Sequence, residues 1–144
     1  PSFRFRVRAV DDLSANAQAE RGEDVAFLAV FVLDQRDEAR PVFSGDISEY
    51  CSKAGETPPQ LAIGDPRSRW GSCSSRGTIS LSWRLIMAPA HVRRSVIAHE
   101  VAHMRHMDHS AAFYAWFEEL FEGDRKAADR WLKAHGSALQ LVGR

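Results

Sequence analysis

The sequence predicts an α+β domain in which a small, mostly antiparallel sheet packs on one apolar helix and further helices follow toward the C-terminus. Three observations carry this. Ile79, Leu81, Trp83 and Leu85 alternate with Thr78, Ser80, Ser82 and Arg84, the period of a strand with one buried face. Val92, Val96, Ile97, Val101 and Met104 recur at helical spacings behind Pro89, which fits a first turn because its missing N–H has no partner there anyway. Phe113, Trp116, Phe117, Leu120 and Phe121 mark another helix face, which Gly123 ends. A chain of 144 residues is expected to be one domain, residues 1–144, with the first forty residues carrying the least pattern.

The elements follow in order. Residues 3–9, FRFRVRA, alternate apolar side chains with arginine and read as an edge strand whose charges discourage further pairing. Residues 11–24 are polar and irregular. The run VAFLAVFVL, residues 25–33, falls well short of the roughly 20 residues needed to span a bilayer, and it lacks the flanks of a signal peptide. It reads as a buried strand or the start of a core helix. Residues 41–54 form a short helix with Ile47, Tyr50, Cys51 and Ala54 inward, ended by Gly55. After a linker at 56–59, Leu61 and Ile63 begin a strand and Asp65-Pro66 marks a turn. Ser75-Arg76-Gly77 then turns the chain into the strand beginning at Thr78. The apolar helix runs from about Pro89 to about His106, and a last helix covers 124–135 with Gly136 as its C-cap.

Composition excludes several classes. Lys and Arg together number 19, as do Asp and Glu, so no basic field points to nucleic acid. Two cysteines, Cys51 and Cys73, are too few for a disulfide framework, and a reduced, cytoplasmic protein is expected.

The segment HEVAHMRHMDH, residues 99–109, concentrates the chemistry. His99 and His103 stand one helical turn apart and can reach one ion. Zinc takes neutral imidazoles, and a hydrolytic site has three protein ligands with a fourth position open to water. Glu100, displaced sideways, is placed to act as general base. An accidental H-E-x-x-H in such a chain has a chance of about 1–2%, so the apolar helical setting is needed to strengthen the pattern. Among candidates for the third ligand, His91 lies two turns toward the wrong end, and His106 sits about 10.5 Å further along the axis than His99. His109 is preferred, because Asp108 and Ser110 favour a break that turns the chain back. His106 is left at the rim or behind a ligand.

The preceding hairpin supplies candidate substrate contacts. A strand beside the active helix can pair with an extended peptide, and residues 78–83, carrying Thr78, Ser80 and Ser82, are the candidate. Arg69 and Arg84 are further candidates, since guanidinium offers a rigid fork for anionic groups, and Ser72 joins them from the same hairpin. Arg67 and Arg76 read as solvated, Trp70 as packing, and Cys73 as a small, partly buried residue that leaves the fourth metal position open.

The stretch RSRWGSCSSRGTISLSWRLIMAP, residues 67–89, followed by HEVAHMRHMDHSAAFYAWFEEL, residues 99–120, resembles the YgjP-like metallopeptidase family, more distantly similar to SprT-like and WLM zincins. The resemblance implies a zincin-like single domain, His99, His103 and His109 as Zn2+ ligands, and Glu100 as the catalytic glutamate. It extends over about residues 42–136. Members with longer N-termini carry additional strands, so this chain is read as a short member or a trimmed piece.

The leading expectation is therefore a zinc-dependent metallopeptidase acting on peptides or unfolded proteins. Two alternatives accompany it: a metal-dependent nucleoside triphosphate pyrophosphatase, which the family resemblance and local arginines support, and a non-catalytic metal-stabilised binding domain. No membrane partner is expected, and oligomeric state is left open.

Overall fold

The computed structural model describes residues 22–144, with side chains from residue 26 onward. The expected strand at 3–9 lies outside the described residues, as does most of the irregular segment expected at 11–24. Residues 22–24 of that segment are helical.

Helix α1, Gly22–Ala54, joins into one element what the sequence divided into an apolar run and a short helix, and it continues through Pro41. Its second half is the anchoring half: Phe43, Ile47, Tyr50, Cys51 and Ala54 repeat at helical spacing and are buried. In the first half Leu28, Phe31 and Val32 reach the core, but Phe27, Val30 and Leu33 stay exposed, against the expectation of a fully buried run.

Three strands follow: β1, Gln60–Gly64; β2, Gly71–Cys73; and β3, Thr78–Ser82. Their order is β1-β3-β2, with β1 parallel to β3 and β2 antiparallel to it. The sheet is thus mixed, not mostly antiparallel. The physical reason is that β2 forms the tight hairpin with β3, so β1 must reach the free edge of β3 by a crossover, and that gives it the parallel sense. Gly77, at φ +87, makes the hairpin turn possible, and its N–H donates to Ser74 O at 3.2 Å.

The strand expected to run to Leu85 stops at Ser82. The Ser82 hydroxyl accepts from Arg84 N at 3.2 Å, and residues Trp83–Met87 wind into a fully buried 3₁₀ turn. Helix α2, Ala90–Ala102, lies between α1 and the later helices, α3 (Ala111–Leu120) and α4 (Arg125–Leu141). Ile97, Ala98, Val101 and Ala102 are buried in the same cluster as Phe43, Ile79, Leu81, Phe113 and Leu120, so one core spans sheet and helices.

Gly136, expected as a C-cap, lies inside α4. A Cβ there would come within 3.2 Å of Trp70 Cζ2, so the glycine lets the indole lie against the helix backbone. No helix among the described residues is long and apolar enough to cross a membrane.

Candidate active site

The site is built where α2 stops. The sequence extends this helix to about His106, yet it ends at Ala102 with His103 as its cap. Arg105 N and His106 N both donate to Ala102 O at 3.1 Å, winding the chain out of the helical path. The Asp108 carboxylate then accepts from Ser110 N at 3.4 Å, and the Ser110 hydroxyl caps α3 by accepting from Phe113 N at 3.2 Å. This early stop and short return carry His109 back beside His99 and His103.

The three imidazoles point their Nε2 atoms at one another. The distances are 3.1 Å between His103 and His99, 3.2 Å between His103 and His109, and 3.3 Å between His109 and His99. Tetrahedral zinc with bonds of about 2.0–2.1 Å sets its nitrogen ligands about 3.3–3.4 Å apart, close to this triangle. His103 Nδ1–H donates to the His106 carbonyl at 2.9 Å, so the lone pair falls on Nε2, facing the centre. The fully buried Phe113 backs all three rings: it stacks on His103 with centroids 4.3 Å apart and meets His99 and His109 edge-on at 4.9 and 5.3 Å.

Electrostatics favour the neutral, ligating form. Burial, reinforced by His103, His109 and Arg125, pushes His99 down to about 4. Burial also lowers His103, partly opposed by its bond to His106. The C-terminal end of α2, where the partial charge of the helix is negative, adds an attraction for a cation. Among the described residues these three form a metal-capable cluster with no fourth donor, and the set fits Zn2+ with one position open.

Glu100 lies on the adjoining flank of α2, only 5% exposed and without a hydrogen bond to any described residue. Burial pushes its carboxyl up to about 7, against the pull of Arg69. Gly71 on β2 faces it at close range. A Cβ at that position would lie 3.0 Å from Leu81 Cδ2, 3.2 Å from Glu100 Cγ and 3.3 Å from Glu100 Oε2. Only a glycine lets the strand approach the carboxylate without moving it.

A cleft of ≈ 160 Å³ opens along His99 and Glu100. Trp70, Phe117 and Leu132 form apolar walls, and Ser95 and Asp129 add polar groups. On the other side of Gly71 a second cavity of ≈ 190 Å³ is lined by Ile63, Pro66, Arg69 and Ser80.

The hairpin candidates separate under this geometry. β3 is bonded to β1 on one edge and β2 on the other, so its backbone has no free edge for a peptide. Among the described residues β2 is an edge strand, on the α2 side. Ser72 lies on β2, paired with Ser80, while Thr78 and Ser80 are half-buried and Ser82 is fully buried. Arg69 is exposed beside Glu100.

Arg84, in contrast, is 1% exposed, with its guanidinium bound to Asp65 at 2.9 and 3.2 Å, to Leu139 O at 2.8 Å and to Val142 O. It ties the sheet to the end of α4 and does not reach the cleft. Cys73 is half-buried on β2, as expected.

His106, expected at the rim or behind a ligand, stands behind His103 through its carbonyl; three contributors were not read from sequence: Gly71 as the neighbour of Glu100, Ser95 and Asp129. Gly71 lies within the stretch at residues 67–89 that carries the family resemblance, but nothing local ties it to Glu100. The others had no local pattern.

A helix bearing His99, Glu100 and His103, a returning His109 and a small mixed sheet define a zincin-like, zinc-dependent hydrolase centre. The chain belongs to the YgjP-like family, metallopeptidase domain, which it matches over residues 5–135. Its fold is similar to the crystal structure of the metallopeptidase zymogen of Pyrococcus abyssi abylysin, with a TM-score of 0.57 and 22% identity over 64% of this chain and 93% of that one. No curated protein matches the chain.

Proposed function

We propose that the chain hydrolyses peptide bonds with Zn2+ held by His99, His103 and His109 and with Glu100 as general base. The observation that carries this reading is the Nε2 triangle with edges of 3.1–3.3 Å beside a buried carboxylate that has no hydrogen-bond partner among the described residues. Bound zinc would polarise the scissile carbonyl and make a water more acidic.

The chain's own residues do the rest. Glu100 accepts a proton from the attacking water, whose oxygen joins the acyl carbon. As the C–N bond breaks, Glu100 returns that proton to the leaving amine and ends in its starting state. Gly71 keeps β2 close enough to exclude bulk water from the carboxylate. His103, oriented by the His106 carbonyl, keeps its Nε2 directed inward.

The edge of β2 that no described strand pairs offers backbone groups to an extended substrate, and Arg69 adds a nearby cation for a carboxylate or carbonyl. A peptide is favoured over a nucleoside triphosphate, because Arg84 is already consumed by Asp65 and α4 and the remaining cationic set is smaller. The lack of a fourth donor among the described residues argues against a purely structural metal. Two free cysteines fit a reducing, cytoplasmic setting, and residues 1–144 are taken as one catalytic unit.

The test is His103→Ala, with zinc content, far-UV circular dichroism and peptide turnover measured on the same preparations. Zinc content and turnover should fall together while helicity stays. Full zinc occupancy in folded H103A protein would overturn the ligand set.

A further inference from the structure

The cleft along Glu100 has a wall that the hydrolytic reading does not use. On α4, Asp129, Leu132 and Gly136 are spaced i, i+3, i+7 and share one helical face. Asp129 and Leu132 line the cleft, and Gly136 receives the Trp70 indole, so contact with the residue that leads into β2 fixes the helix face that supplies this wall. Arg125, one turn before Asp129, is directed elsewhere: its guanidinium lies 4.7 Å over the Tyr114 ring, and its Nε is 3.8 Å from Glu118. Asp129 makes no ion pair or hydrogen bond with any described residue.

We propose that Asp129 makes this cleft a pocket for one cationic substrate side chain, lysine or arginine, next to the scissile bond. The inference rests on the peptidase reading and narrows its substrate class. The ≈ 160 Å³ volume is close to the roughly 150 Å³ of a cavity that takes up one benzene ring, so it admits a single side chain. Trp70, Phe117 and Leu132 suit an aliphatic stem, and the indole and phenyl faces also tolerate a cation. The Asp129 carboxylate meets the charged head. An acidic side chain would face both Asp129 and Glu100 and be rejected.

Alanine-rich quenched peptides carrying one lysine, norleucine or glutamate, moved through each position, test this with the zinc-loaded full chain. Wild type should prefer lysine over norleucine by about tenfold in kcat/KM at the position adjoining the cut. D129N should bring that ratio near one, D129K should favour glutamate, and D37N on α1 should leave the ratio unchanged. The same labelled peptides are also titrated into zinc-loaded E100Q and its double variant with D129N, with binding read by anisotropy.

Equal handling of lysine and norleucine by wild type, or an unchanged ratio in D129N, would overturn the pocket. A lysine preference in binding without any cleavage by wild type would retain the pocket and overturn the peptidase reading.

Discussion

The two ends of helix α2 carry opposite arrangements of polar groups. At the N-terminal end, Arg93 binds Asp46 at 2.7 Å, and Arg94 binds Asp46, Glu49 and Glu122 at 3.0, 2.8 and 2.8 Å. Tyr50 adds a hydroxyl that donates to Glu122 at 2.6 Å while its ring lies 4.9 Å beneath the Arg94 guanidinium. Cations near a helix N-terminus oppose its dipole, so these carboxylates from α1 and from beyond α3 are what make the position favourable. At the C-terminal end three imidazole lone pairs face one another and Glu100 has no hydrogen-bonding partner among the described residues. One end is closed by its own partners and fixes the helix between α1 and α3. The other is complete only when a metal ion binds.

Changes at the two ends should therefore separate chemistry from stability. The largest effect short of removing a ligand or the base is expected for Gly71→Ala, which drives a methyl against Leu81 and Glu100. Turnover should fall about tenfold or more while zinc content holds, since displacing a catalytic group by a fraction of an ångström is costly. Zinc loss in G71A would mean that β2 supports the histidines as well as the carboxylate.

Arg94→Ala should act in the opposite sense. Stability, read by urea unfolding, should drop by about 2 kcal/mol, because a partly buried guanidinium with several charged partners is lost. Turnover per folded, zinc-loaded molecule should stay within about twofold, as Arg94 contacts nothing in the cleft. A large fall in turnover would show that the clamp is coupled to the chemistry.

The smallest effect is in pH dependence. Burial pushes Glu122 up, but hydrogen bonds from Arg94 and Tyr50 outweigh it and hold the carboxyl at about 2, below the ordinary 4.5. A depressed carboxyl contributes stability that is fully present above the unfolded value and is lost as pH falls toward the folded one. The stability difference between wild type and E122Q should be constant above about pH 5.5 and shrink between about 4.5 and 2. A difference that stayed flat across that window would remove Glu122 from the clamp.

The same contrast explains what could be read from the sequence. His99, Glu100 and His103 were legible because helical geometry relates residues one turn apart without knowledge of the rest of the fold. His109 was legible because Asp108 and Ser110 are local breakers, and Ser110 is indeed the cap of α3. The core face of α1, from Ile47 to Ala54, followed from its period.

What failed were readings that depend on distant partners. Alternation placed Arg84 on a wet strand face, whereas Asp65 and the last turns of α4 bury it. A glycine after a helical stretch suggested a cap at Gly136, whereas Trp70 needs its bare backbone within a longer helix. The strand at 78–83 was identified, but only the sheet order shows that its edges are occupied.

Zinc at the C-terminal end of α2 and Glu100 as the base beside it are proposed to work as one unit. The most direct measurement compares wild type and Glu100→Gln, each loaded to one zinc and checked for fold, by peptide turnover on the same preparations. Glutamine keeps the shape and removes the proton acceptor, so equal zinc content with turnover reduced by about 10²–10⁴-fold is the expected result. Near-wild-type turnover in fully zinc-loaded E100Q would show that Glu100 is not the base.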